Sequence, residues 1–144
     1  MRLWHKDFIN VLPKEQLTGL WRELSAIAGS IKTKGTPNHI LVNFVLDYDY
    51  DNFISYAAEV REEMTKRGYR TMNSVWEKIT SLKPDWKPIS YDEIYKEKMD
   101  NTYLDICFYN LYEKILCEGG IKEPDASNII KAYCEKRGMP NGFR

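Results

Sequence analysis

Net charge, membrane-length apolar runs, clustered histidines and paired cysteines are all missing from this chain of 144 residues, and each absence removes a class of function. With 21 basic and 21 acidic residues the formal charge is zero. A generic polyanion binder is therefore not expected, because phosphate neutralisation by Lys and Arg dominates nonspecific nucleic-acid affinity. No apolar run approaches the ~20 residues that span a bilayer, and no secretory apolar segment opens the chain, so a cytoplasmic protein without membrane contact is expected. The only histidines, His5 and His39, stand far apart with no HExxH or Cys–His spacing, so no metal site is expected. Cys107, Cys117 and Cys134 form no CxxC pair, and they read as reduced thiols. No glycine-rich phosphate loop and no GxSxG are present, and no local signature pairs a Cys nucleophile with a His base.

Four Trp, ten Tyr and five Phe stand against these absences, more aromatic area than a core of this size requires. Buried Tyr with a satisfied hydroxyl is the common use of such residues, and a groove or interface is the other. The charge is also uneven. Residues 1–40 hold six basic and three acidic groups, 41–64 hold one and six, and 65–90 hold six and two. A basic face on a neutral molecule is compatible with that order.

The length fits a single domain over 1–144, able to bury roughly 68–70% of its unfolded surface. Pro13 suits a first helical turn, and Leu17, Leu20, Trp21, Leu24, Ile27 and Ala28 then recur at three- and four-residue spacing. Gly29 and the Lys32–Pro37 stretch are expected to end that helix. His39–Tyr48 is an apolar run whose periodicity leaves strand and helix open. A second helix is predicted from an N-cap at Asp51, through Phe53, Tyr56, Ala57, Val60 and Met64, to a C-terminal Gly68. Weaker patterns give a short helix at Val75–Leu82, a helical region over Tyr91–Cys117 broken near Asn101, and a last helix through Ala126–Cys134 closing before Gly138. The expectation is an all-α, compact helical bundle with long loops.

Trp21-Arg22-Glu23 lies inside the first of these helices. Glu23 falls at the edge of the apolar stripe, two turns after Gln16, and Arg22 lies further round. A carboxylate on such a border is half-desolvated and suited to proton transfer, whereas an Arg is placed to reach a phosphate. By itself such an Arg-Glu pair is more often a solvated helix face.

The order and spacing of several segments resemble the pyrimidine-dimer glycosylase family, that of the phage endonuclease V. They are Arg2-Leu3, then QLTGLWREL with Arg22-Glu23, a Gly/Pro loop, the NHILVNF run around His39, and the helix ending KRGY at Lys66–Tyr69. The similarity covers most of residues 1–70, and the opening MRLWH…LP…QL…WRE resembles a bacterial branch of the family. The resemblance implies a helical domain whose amino terminus projects between helices to meet the first-helix glutamate. Its α-amine attacks the anomeric carbon of a damaged nucleotide to form an imine, and the glutamate assists strand-cutting elimination. A terminal amine is ordinarily half-neutral near pH ~7.7–8, so it serves as a nucleophile where lysine does not. Met1 and Glu23 would be catalytic, Arg2, Arg22, Gln16 and His39 would contact DNA, and no cofactor is needed.

The chain departs from the family's type member in three ways. A bulky Arg2 keeps the initiator Met1 in place as the nucleophile, Ala26 stands where an arginine follows the glutamate by one turn, and the chain ends MPNGFR instead of in an aromatic, basic segment. These departures favour an abasic site over a pyrimidine dimer, since an abasic nucleotide is cheaper to expose. The resulting expectation is a monomeric DNA-repair glycosylase and abasic-site lyase acting on double-stranded DNA. Two alternatives remain at this point. One is a non-enzymatic helical module binding protein or nucleic acid. The other is a hydrolase holding a divalent ion on the alternating Asp47, Asp49 and Asp51.

Overall fold

A computed structural model describes residues 1–139; residues 140–144, most of the terminal MPNGFR, lie outside the described residues. Among the described residues the fold is all-α, with no strand. Its helices are α1 (Lys14–Lys34), α2 (Asp51–Lys66), α3 (Asn73–Thr80), α4 (Asn101–Leu116) and α5 (Asp125–Arg137), with 3-10 turns at Lys6–Val11, Asn43–Asp47 and Tyr91–Glu93. None of these helices is long and apolar enough to cross a membrane. α1 packs against α2 and α3, α4 packs against α5, and the Lys6–Val11 turn bridges α5 and α2.

The stripe read from the sequence is the buried face of α1: Leu17, Leu20, Trp21, Leu24, Ile27 and Ala28 are all in the core. Gly29 does not end the helix, which runs one and a half turns further to Gly35 in the left-handed conformation (φ 74°), whose N–H returns to the Ile31 carbonyl at 2.9 Å. Gly29 instead faces α3, where an added Cβ would stand 3.0 Å from Lys78 Nζ. Only the flexible end of the Lys78 side chain comes that close.

His39–Tyr48 forms neither strand nor α-helix. It is a turn followed by the Asn43–Asp47 3-10 segment, which buries Val42 and Val45 and leaves Ile40 89% exposed. With no partner strand in reach, its backbone bonds are made locally. α2 starts at Asp51 as its first residue, and Tyr50 occupies the N-cap position expected of Asp51. Asp49 supplies the carboxylate that accepts the Asp51 N–H at 3.0 Å. The C-terminal end is as the sequence implied: Gly68 has φ 80°, and the Tyr69 N–H returns to the Met64 carbonyl.

Of the helical region predicted over Tyr91–Cys117, the α-helix forms only from Asn101 to Leu116; Tyr91–Glu93 is a single 3-10 turn and residues 94–100 are in no helix. Tyr95 takes φ 47° and is fully buried, its N–H donated to Asn52 Oδ1 at 2.9 Å. The Asp100 carboxylate then caps α4 by accepting the Tyr103 N–H at 2.9 Å. Cys107 and Cys134 are buried and Cys117 is exposed, all three as free thiols.

Candidate active site

The segment before the first 3-10 turn is extended, so its polar backbone groups need partners from elsewhere in the fold. Four consecutive residues find them on three helices. The Arg2 N–H donates to Glu23 Oε2 on α1 at 2.9 Å, the Leu3 carbonyl accepts from the Tyr103 hydroxyl on α4, the Trp4 carbonyl accepts from the Tyr56 hydroxyl on α2, and the His5 N–H donates to Cys107 Sγ on α4 at 3.3 Å. Leu3, Trp4 and His5 are buried, whereas Met1 is 45% exposed. The chain end thus emerges at the surface beside Glu23. Covalent geometry keeps the Met1 α-amine within about 4 Å of the Arg2 nitrogen.

Glu23 is half-buried, as its border position implied, and one carboxylate oxygen is engaged by the Arg2 amide. The Arg2 guanidinium is near enough to the Tyr103 hydroxyl and the Cys107 thiol for its positive charge to oppose the rise in their pKa. Burial raises the Tyr103 hydroxyl well above its ordinary range despite that positive neighbour, so it remains a donor. Its ring is held in turn by the Lys98 ammonium, 4.4 Å from the ring centroid, and by the edge of Phe44.

His5 and Cys107 are neighbours, but not as a base and a nucleophile. The His5 main chain, not its ring, meets the sulfur, and burial pushes the Cys107 thiol up. The His5 ring faces its own turn, with Nδ1 accepting the Asp7 N–H at 3.1 Å. Burial lowers its pKa, against an opposing pull from Asp7. Asp49 and Asp51 hold the Lys83 ammonium at 2.8 and 3.0 Å, so those carboxylates already have a cation of their own. Among the described residues no three His, Cys, Asp or Glu side chains gather as metal ligands.

The remaining residues singled out from the sequence are spread along and beyond α1. Gln16 is half-buried, and with Lys14, Lys114 and Lys122 it lines a cleft of about 640 Å³ at the start of α1. Arg22 is exposed, about 100° around the helix from Glu23. With Arg70 it rims a cleft of about 390 Å³ lined also by Trp21, Met64, Met72 and Val75. His39 is half-buried in the turn that precedes Asn43–Asp47, its Nδ1 accepting the Leu41 N–H at 3.2 Å. The fold thus joins Arg2, next to Met1 in the chain, to Glu23, sets Gln16 and Arg22 on two separate clefts whose linings include none of these three, and gives His39 only local hydrogen bonds among the described residues. A further cleft of about 660 Å³ along α5, lined by Ile130, Cys134 and Met139, includes none of them.

Sequence reasoning missed Tyr56, Tyr103, Cys107 and Lys98. The excess of Tyr was the one signal available, and it does not say which hydroxyl meets which carbonyl.

Fold and site together define a helical protein that presents its own amino terminus beside a half-buried helix carboxylate. Residues 1–77 match the family model of pyrimidine dimer DNA glycosylases, and the chain belongs to that family. No curated protein and no solved structure gives a match. The matched segment contains Met1, Arg2, Gln16, Arg22, Glu23 and His39 and ends within α3, whereas Tyr103 and Cys107 lie beyond it.

Proposed function

We propose that the protein is a DNA-repair glycosylase with abasic-site lyase activity, in which the Met1 α-amine is the nucleophile and Glu23 the carboxylate that moves protons. The observation that carries this reading is the 2.9 Å contact between the Arg2 N–H and Glu23 Oε2, which sets the preceding residue, the partly exposed Met1, near the carboxylate. Family membership supports DNA as the substrate class.

The amine nitrogen attacks C1′ of the sugar. At a damaged nucleotide the glycosidic bond breaks and the base leaves, and the C1′–O4′ bond then opens with O4′ taking up a proton; at an abasic site the amine adds to the ring-opened aldehyde and water leaves the carbinolamine. Both routes give an imine between Met1 and C1′. Glu23 then accepts a proton from C2′, the electrons form the C2′–C3′ double bond, and the C3′–O bond to phosphate breaks. Hydrolysis of the imine releases the amine. Splitting the cleavage into covalent steps lowers each barrier, and no step calls on a metal or an organic cofactor. Arg22, Gln16 and His39 are assigned to contacts with the DNA, and Arg2 to the backbone near the nucleophile. In this reading the protein works as a monomeric single domain on double-stranded DNA holding one abasic site. A non-catalytic module would need the amino terminus fixed away from Glu23, and the exposed Met1 does not favour it.

The test is borohydride trapping on a labelled duplex with one abasic site, using untagged protein. A covalent adduct is expected, lost when residues are added before Met1. Strand cleavage is expected to fall by roughly 10²–10⁴-fold in Glu23→Gln, the range for removing a general acid–base. Absence of both adduct and cleavage, with a free α-amine verified by mass, overturns the reading.

A further inference from the structure

Residues Arg2 to His5 each receive one hold, and the four holds are not equivalent. Tyr56 and Cys107 grip residues three and four positions from the amine, deep in the core. Glu23 is itself assigned to the chemistry. Tyr103 grips the Leu3 carbonyl, the last fully buried point before the chain turns out to solvent. One phenol therefore holds Leu3 and is near enough to the Arg2 side chain for its charge to be felt.

The phenol is itself held firmly. Asp100 fixes its backbone by accepting the Tyr103 N–H, and the Lys98 ammonium and the Phe44 ring pack on its ring. All of these except Phe44 come from the part of the chain beyond the 1–77 match. A group so braced transmits position, and small displacements of a nucleophile are costly: about 1 Å of misplacement can cost 10²-fold in rate.

We infer that Tyr103 is a positioning residue for the amine–carboxylate pair, setting the direction in which Met1 and Arg2 leave the core so that the α-amine stands beside Glu23. This rests on the imine-forming reading above. Tyr103 does not touch substrate; it acts through Leu3 and Arg2.

Tyr103→Phe keeps the ring and removes the hydroxyl. Tyr50→Phe is the matched control, since the Tyr50 hydroxyl also donates to a buried-segment carbonyl, that of Ile79 at 2.7 Å, away from the amino terminus. Single-turnover trapping on the abasic duplex is expected to slow by roughly 10–10²-fold in Tyr103→Phe, with KM little changed, and to stay at the parent rate in Tyr50→Phe. Parent-like trapping by Tyr103→Phe overturns the inference, and so does equal slowing in both variants, which would mark a general loss of stability. A second readout needs no catalysis: hydrogen exchange of the Arg2 amide in the free protein is expected to accelerate in Tyr103→Phe alone. If the parent protein traps nothing, the imine reading fails, and unchanged Arg2 exchange then separately removes the positioning role.

Discussion

Residues 1–77 and the described remainder, 78–139, contribute to the site in different currencies. The first region supplies the groups assigned to chemistry, Met1 and Glu23, together with Gln16, Arg22 and His39. The second supplies none of these, yet Tyr103 and Cys107 on α4 make two of the four contacts that hold residues 2–5. The groups proposed to react belong to the part that the family model recognises, and half of the contacts that hold residues 2–5 come from the part it does not. A site of this kind can keep its reactive residues while its bracing changes, provided some helix still offers a hydroxyl to the Leu3 carbonyl.

The comparison breaks first if the two regions do not share one core. Leu24 on α1 and Leu111 on α4 are both fully buried in the same hydrophobic cluster. Each change to Ala is expected to cost about 2–5 kcal/mol, the range for Leu truncation in a packed core. In urea unfolding both should shift a single transition seen equally by fluorescence and circular dichroism. Two separated transitions, one moved by each variant, would divide the chain into independent units.

A smaller effect sharpens the role of α4. Asp100→Ala removes the carboxylate that caps the helix at the Tyr103 N–H, and should lower stability by about 1 kcal/mol. Because the cap and Tyr103 share a turn, Arg2 amide exchange should rise with it. A stability loss without faster Arg2 exchange would separate capping from aiming.

The smallest expected effect concerns His5, which joins the two regions through Cys107. Its folded-state pKa is lowered by burial, so the unfolded chain binds the proton more readily. Stability is therefore fully present above the unfolded value of about 6.5 and is lost as the pH falls toward the depressed folded value. Urea midpoints measured across that window should rise with pH and then level off near 6.5. The His5 contribution to the slope should vanish in His5→Gln; an unchanged slope would assign it to other groups.

Several elements were legible in the chain because their signals are local. The α1 stripe, the Gly68 cap of α2 and the close of α5 at Gly138 follow from helical periodicity and the freedom of glycine at positive φ. The end of α1 falls at Gly35, inside the Lys32–Pro37 stretch of turn formers, whereas Gly29 alone did not stop the helix. His39–Tyr48 stayed open because an apolar run does not state its partner, and among the described residues there is no strand for it to pair with.

The same division holds at the site. Sequence order placed Glu23 on the border of the α1 stripe, and that border position made it half-buried, since a helix fixes the angle of every residue about its axis. What order could not supply was the meeting of the Arg2 N–H with Glu23, or the identity of the groups at Leu3, Trp4 and His5. The latter contacts span between 52 and 102 residues of chain. An extended segment has no backbone partners of its own, so only the packing of α1, α2 and α4 around it decides where its first residue points.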